Sequence, residues 1–214
     1  MTWAKIERGI AVGGDPKLLW DCLFLTTSEI QELLDYVRVH AHLPWIYPMF
    51  CFAAHTGAMR SEMLRALVSD VDLEGGMVLV REKKRVKGVR STRRVPLTAP
   101  LRQTPAGYLE DHPGTTNLFN QPPNVAYSRQ KSQTHTPVSV NQVRDHFVRV
   151  LAGSKWSVIR GWHCLRHSFI SSCVAQGIDQ RVLDKWVGHT SDIRDRYIHL
   201  VPSNEQQAIQ GVFE

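Results

Sequence analysis

Apolar residues recur every three or four positions along most of this chain, and one stretch breaks that period. Thr26 and Glu29 have the spacing of a capping box, and Ile30, Leu33, Leu34 and Val37 then share a helical face, which predicts a first helix. The more apolar run WIYPMFCFAAHTG predicts a second helix, buried on most sides and stopped at Gly57. A third is expected from about Arg60, with Met63, Leu64, Leu67 and Val68 on one face. The texture then changes. DLEGGMVLVREKK reads as a turn followed by a strand, and TRRVPL as a returning strand, with Gly88 in the connection between them. Residues 103–137, rich in Pro, Thr, Asn and Gln, are expected to run over the surface.

Ser139 and Gln142 repeat the capping-box spacing ahead of Val140, Val143, Phe147, Val150 and Leu151. Leu165, Phe169, Ile170, Cys173 and Val174 form an apolar stripe that ends at Gly177. Asp179 is placed to cap a helix that buries Val182, Leu183, Trp186 and Val187 and stops at Gly188. DIRDRYIHL predicts one more short helix, and Ser203 with Gln206 a final capped turn. Residues 1–23 contain GGDP and no clear period, which reads as a linker or the remnant of a further N-terminal domain. The fold class expected is mainly α with a small antiparallel hairpin or sheet, α+β, over residues 24–214.

Charge changes this picture at one place. The chain carries a net +6, and the segment REKKRVKGVRSTRR at 81–94 holds eight Lys or Arg against Glu82 alone. With 26 basic and 20 acidic residues overall, the remainder is close to neutral. A basic run carried on a hairpin can lie against a phosphate backbone, so a nucleic-acid partner is expected. The four cysteines have no paired spacing and are expected as free thiols, and no stretch reaches the roughly 20 apolar residues of a membrane span. An intracellular protein without a membrane partner is therefore expected.

The segment WHCLRHSF poses the chemical question. His163, Arg166 and His167 sit three and four positions apart, on neighbouring points of one helix and off its apolar stripe. They could be structural, hydrogen-bonded to nearby loops. They could hold zinc, but the glutamate of the H-E-x-x-H pattern is missing and an arginine between the ligands opposes a dication. Or they could clamp a phosphate, because the guanidinium fork matches a phosphodiester. The third reading gains support from Arg60, at a predicted helix start that favours an anion, and from the hairpin lysines. His189, just past a helix stop, and Tyr197, in a polar setting, complete the set.

In order and spacing, TGAMRSE, the basic hairpin ending in RRVPL, HCLRHSF, VGH and RYIH resemble the catalytic domain of the tyrosine recombinases, the phage integrase family. The resemblance runs from about Phe24 to the end. It implies that Tyr197 attacks a DNA phosphodiester to form a 3'-phosphotyrosyl link. It further implies that Arg60 and Arg166 hold the non-bridging oxygens, that His163 relays the tyrosine proton, and that His189 donates to the phosphate. A hairpin lysine would protonate the leaving 5'-oxygen; Lys83 fits best, with Lys84 its rival because strand residues alternate faces. Glu62, as a support for Arg60, and His167 are expected in supporting roles. Lys84, Arg85, Lys87, Arg90 and Arg93 are expected to contact DNA. No metal or other cofactor is implied, since the covalent link conserves the bond energy. The implied partner is duplex DNA bearing a specific recombination site, with four protomers on paired sites and a monomer in isolation. A type IB topoisomerase activity and a DNA-binding module that no longer cuts are the alternatives.

Overall fold

Trp45, Phe50 and Phe52 are the largest side chains with essentially no exposure, and the helix that carries the two phenylalanines organises the core. The structure is a computed structural model that describes residues 1–86, 89–123 and 132–188, with the backbone alone at 83–86 and 89–90. Helices α1 (Trp3–Ala11) and α2 (Pro16–Asp21) precede α3 (Thr27–His40) and α4 (Ile46–Thr56). The short α5 (Arg60–Met63) leads through a 3-10 turn at Val68–Asp70 into β1 (Val71–Asp72), β2 (Met77–Val86) and β3 (Val89–Pro96). Then come α6 (Ala99–Glu110), β4 (Asn120–Gln121), β5 (Thr136–Pro137), α7 (Val140–Leu151), α8 (His163–Ala175) and α9 (Gln180–Val187). The architecture is helical with two small antiparallel sheets, ordered β1-β2-β3 and β4-β5.

Local chemistry accounts for several element ends. Thr26 accepts from the Glu29 amide while the Glu29 carboxylate accepts from the Thr26 amide at 2.7 Å, closing the predicted capping box of α3. Ser139 and Gln142 do the same for α7, and Asp179 caps α9 through the Arg181 amide. Gly57 ends α4 in the left-handed conformation at φ 62°, where any Cβ would meet the Phe169 ring at 2.8 Å. Helix α4 packs against α3, α6 and α8, so its apolar residues are covered on most sides, as its composition predicts.

Three expectations are corrected. Residues 1–23, read as having no clear period, form α1 and α2. Trp3, Ile6 and Ile10 recur at helical spacing, Ile6 is fully buried, and the Trp3 ring meets Trp20 and Trp156 edge-on at 4.9 and 5.7 Å. The helix expected from Arg60 through Val68 stops at Met63; Leu67 turns extended, and its amide is held by Asp70 at 2.9 Å. Residues 103–137 do not simply wander. Their first part belongs to α6, capped by Thr98 and carrying Pro105 within it, and Leu118 to Gln121 are buried. Proline inside a short helix hides it from a periodicity reading. Residues 124–131, Gly88, the expected helix in DIRDRYIHL and the Ser203–Gln206 turn lie outside the described residues. Among the described residues no helix is long and apolar enough to cross a membrane.

Candidate active site

Helix α8 carries HCLRHSF with His163 at its first turn. His163 is exposed and His167 half-buried, but Arg166 is only 3% exposed. The sequence pattern places Arg166 off the apolar stripe. In the structure its guanidinium turns inward, donating from Nη1 to the Gly57 carbonyl and from Nη2 to the Val187 carbonyl, each at 2.6 Å. Gly57 ends α4 three residues before Arg60, and Val187 ends α9 two residues before His189. One buried cation therefore ties together three segments that each carry an expected site residue.

Arg60 and His163, 103 positions apart in sequence, line a shared cleft of about 280 Å³. Phe147 and Trp162, whose rings pack 4.8 Å apart, form part of its wall, and Arg144 of α7 and Arg160 of the segment before α8 also line it. Sequence reading did not single out either arginine. Arg144 has a weak signal, since it borders the apolar stripe of α7, four positions after Val140 and three before Phe147; Arg160 lies in an irregular segment that has none. Helix α5 is four residues long, so the helix dipole expected to favour an anion at Arg60 is small there.

Glu62 does not reach Arg60 in the described contacts. Its carboxylate accepts both Arg93 Nη atoms at 2.8 Å and the Met59 amide at 2.8 Å. Arg93, expected to touch DNA, is correspondingly corrected: its side chain is 4% exposed, and its Nε donates to the Trp186 carbonyl at 2.5 Å. A second carboxylate, Glu82, lies 3.6 Å from it. Arg81 of the basic run is likewise spent internally, on Asp70 at 2.6 to 3.0 Å, and that hydrogen-bonded pairing raises its pKa. Exposed Arg94 remains on the outer face of β3.

The hairpin lysines meet a further complication. Arg81 pairs with Thr92 but Arg85 with Arg90, so Glu82, Lys83 and Lys84 together oppose Ser91 alone. A bulge of this kind breaks strict alternation, so counting faces along β2 does not choose between Lys83 and Lys84. The side chains of Lys83, Lys84, Arg85, Lys87 and Arg90 lie outside the described residues, as do His189 and Tyr197.

The four cysteines are unpaired, and burial pushes the Cys164 and Cys173 thiols up to about 12 and about 11, which keeps them protonated at neutral pH. Among the described residues no three His, Cys, Asp or Glu side chains gather as a metal site.

The sequence model of the phage integrase family matches residues 23–203. Among curated proteins, the tyrosine recombinase XerA of Pyrococcus furiosus is 27% identical over 171 residues, covering 78% of this chain and 53% of the relative. A tyrosine recombinase of Pseudothermotoga lettingae is 25% identical over 192 residues, covering 89% and 61%. The chain thus spans a little over half the length of these relatives. Among solved structures, XerA recombinase superposes with a TM-score of 0.61 at 21% identity, over 88% of this chain and 65% of that one. The Tn1549 transposon integrase in complex with transposon right end DNA gives 0.67 at 15% identity, over 90% and 66%. The catalytic domain of bacteriophage HP1 integrase gives 0.56 at 22%, over 88% and 94%. These likenesses speak to the fold, and with the match of the family model along nearly the whole sequence they lead to one conclusion: the chain belongs to the phage integrase family, the tyrosine recombinases.

Proposed function

We propose that this chain is the strand-transfer domain of a site-specific DNA recombinase. The observation that carries the reading is the Arg166 guanidinium, bonded at once to the segment leading to Arg60 and to the segment leading to His189. Tyr197 Oη attacks a backbone phosphorus, the P–O5' bond breaks, and the DNA 3'-phosphate becomes a tyrosyl ester. The phenolic proton passes to His163, and the departing 5'-oxygen takes a proton from Lys83 or Lys84. Ionising a phenol of pKa near 10 at neutral pH costs about 4 kcal/mol, so the cationic surroundings must offset that. Arg60 and Arg166 stabilise the charge on the pentacoordinate phosphorus and His189 donates to it. The 5'-hydroxyl of a second strand reverses the step, with four protomers on paired sites.

One observation favours a second reading, a DNA-binding module of the same fold that no longer cleaves. Arg166 is buried, and two of its donors are engaged by backbone carbonyls. A nicked suicide substrate carrying the chain's own recombination site separates the two. Strand transfer yields a denaturant-resistant protein–DNA adduct that is lost in Tyr197→Phe and persists in chelator. Binding without any adduct selects the non-cleaving module.

A further inference from the structure

The cleft shared by Arg60 and His163 is lined by two more guanidinium groups, from Arg144 and Arg160, and, among the described residues, by no carboxylate. Neither is committed to a strong internal partner. Arg144 pairs with its neighbour Asp145 at 3.1 Å, with 65% and 56% of the two side chains exposed. Arg160 Nε lies 3.6 Å from Asp21 of α2, with 43% and 54% exposed. Exposed pairs of this kind contribute about 0–1 kcal/mol, so an incoming phosphate can displace either carboxylate. The contrast with Arg93 and Arg81, whose guanidinium groups are held by buried carboxylates, sorts the arginines of this chain into structural and available ones. The available pair comes from two separate elements, α7 and the segment before α8, both anchored by the buried Phe147 and Trp162 rings, so the two cations are presented from a rigid wall.

We propose that Arg144 and Arg160 each bind a phosphate of the DNA backbone at this cleft and position the duplex for the residues that carry out the reaction. The proposal rests on the reading of the chain as a DNA strand transferase and names the contacts that hold its substrate. Both arginines are positioning residues that take no part in proton transfer. Each phosphate neutralised on duplex DNA releases condensed counterions, so each contact has a distinct salt signature.

The test is fluorescence anisotropy of the protein with a labelled random-sequence duplex at 50 to 200 mM salt, for Arg144→Gln, Arg160→Gln and the double variant. Each single change should lower the slope of log K against log salt by about 0.9 and weaken binding about eightfold near 0.1 M salt, and the double change by about twice that slope. Arg144→Lys and Arg160→Lys keep the charge and should keep the slope. Arg38→Gln, which removes a cation of α3 paired with Asp35 away from the cleft, should behave as the parent. Gln variants with the parent slope, or Lys variants as impaired as the Gln ones, overturn the proposal and leave the strand-transferase reading standing. A parent protein that does not bind duplex DNA overturns both.

Discussion

Replacing Glu62 by Gln removes the negative half of the most buried ion pair described here while conserving shape. Arg93 would keep its bond to the Trp186 carbonyl and its 3.6 Å approach to Glu82, but both of its bonds to a buried carboxylate would be weakened or lost. Breaking a buried pair by removing one partner costs about 3–5 kcal/mol, because the other charge stays desolvated. The residual attraction of Glu82 puts the expected loss near the lower end, about 3 kcal/mol. For a chain of this length that is a fall of roughly 6–12 °C in Tm, read by circular dichroism. Arg93→Met should cost a similar amount by stranding Glu62, whose remaining partner is the Met59 amide. The double variant should lose clearly less than the sum, with a coupling of about 1–3 kcal/mol. A loss under about 1 kcal/mol for Glu62→Gln, or additive single effects, would refute the structural assignment of the pair. It would also reopen Arg93 as a DNA contact.

Two other outcomes are expected. His42 Nε2 and His146 Nδ1 lie 2.7 Å apart, within hydrogen-bond distance, with Trp45, Arg149 and Asp145 around them. Burial, then His42 and Arg149, pushes His146 down to about 4, and burial also lowers His42. Below pH 6.5 the unfolded chain binds more protons at this pair than the folded one, so its contribution to stability is full above that value and declines as pH falls towards about 4, by about 3 kcal/mol from His146 with a further loss from His42. Urea melts across that window should show the decline in the parent and a flatter profile in His146→Asn; equal slopes would count against the pairing. Ile6→Ala should cost about 2–4 kcal/mol in the same melts, as expected for a fully buried isoleucine. A change near zero would mean that α1 does not belong to the core.

Local rules made much of this chain legible. The capping boxes at Thr26 and Ser139, the glycine stops at Gly57 and Gly188 and the hairpin of β2 and β3 depend on residues a few positions apart, and these are found in the structure. The family, too, was readable from five short motifs. Elements failed where local signal and tertiary context disagree. Helix α1 is nine residues long with Gly9 inside it, and it is held by Ile6 and the Trp3–Trp20–Trp156 contacts rather than by propensity. Helix α5 ends early because Asp70 captures the Leu67 amide.

The amino-acid order alone determined which residue types the chain has for phosphate chemistry and the helices and hairpin that carry them. Which cations are available was decided only by the fold. Arg93 looks the same in sequence as the residues around it, yet it is closed off by Glu62, 31 positions away, and by the end of α9, while Arg166 is turned from a surface position to a buried tie between two loops. Arg144 and Arg160 come to share a cleft with Arg60 and His163 only when α7 packs beside α5 and against Trp162 at the start of α8. The reason is physical: a guanidinium's role is set by the nearest desolvated acceptor, and in a folded chain that acceptor is seldom near in sequence.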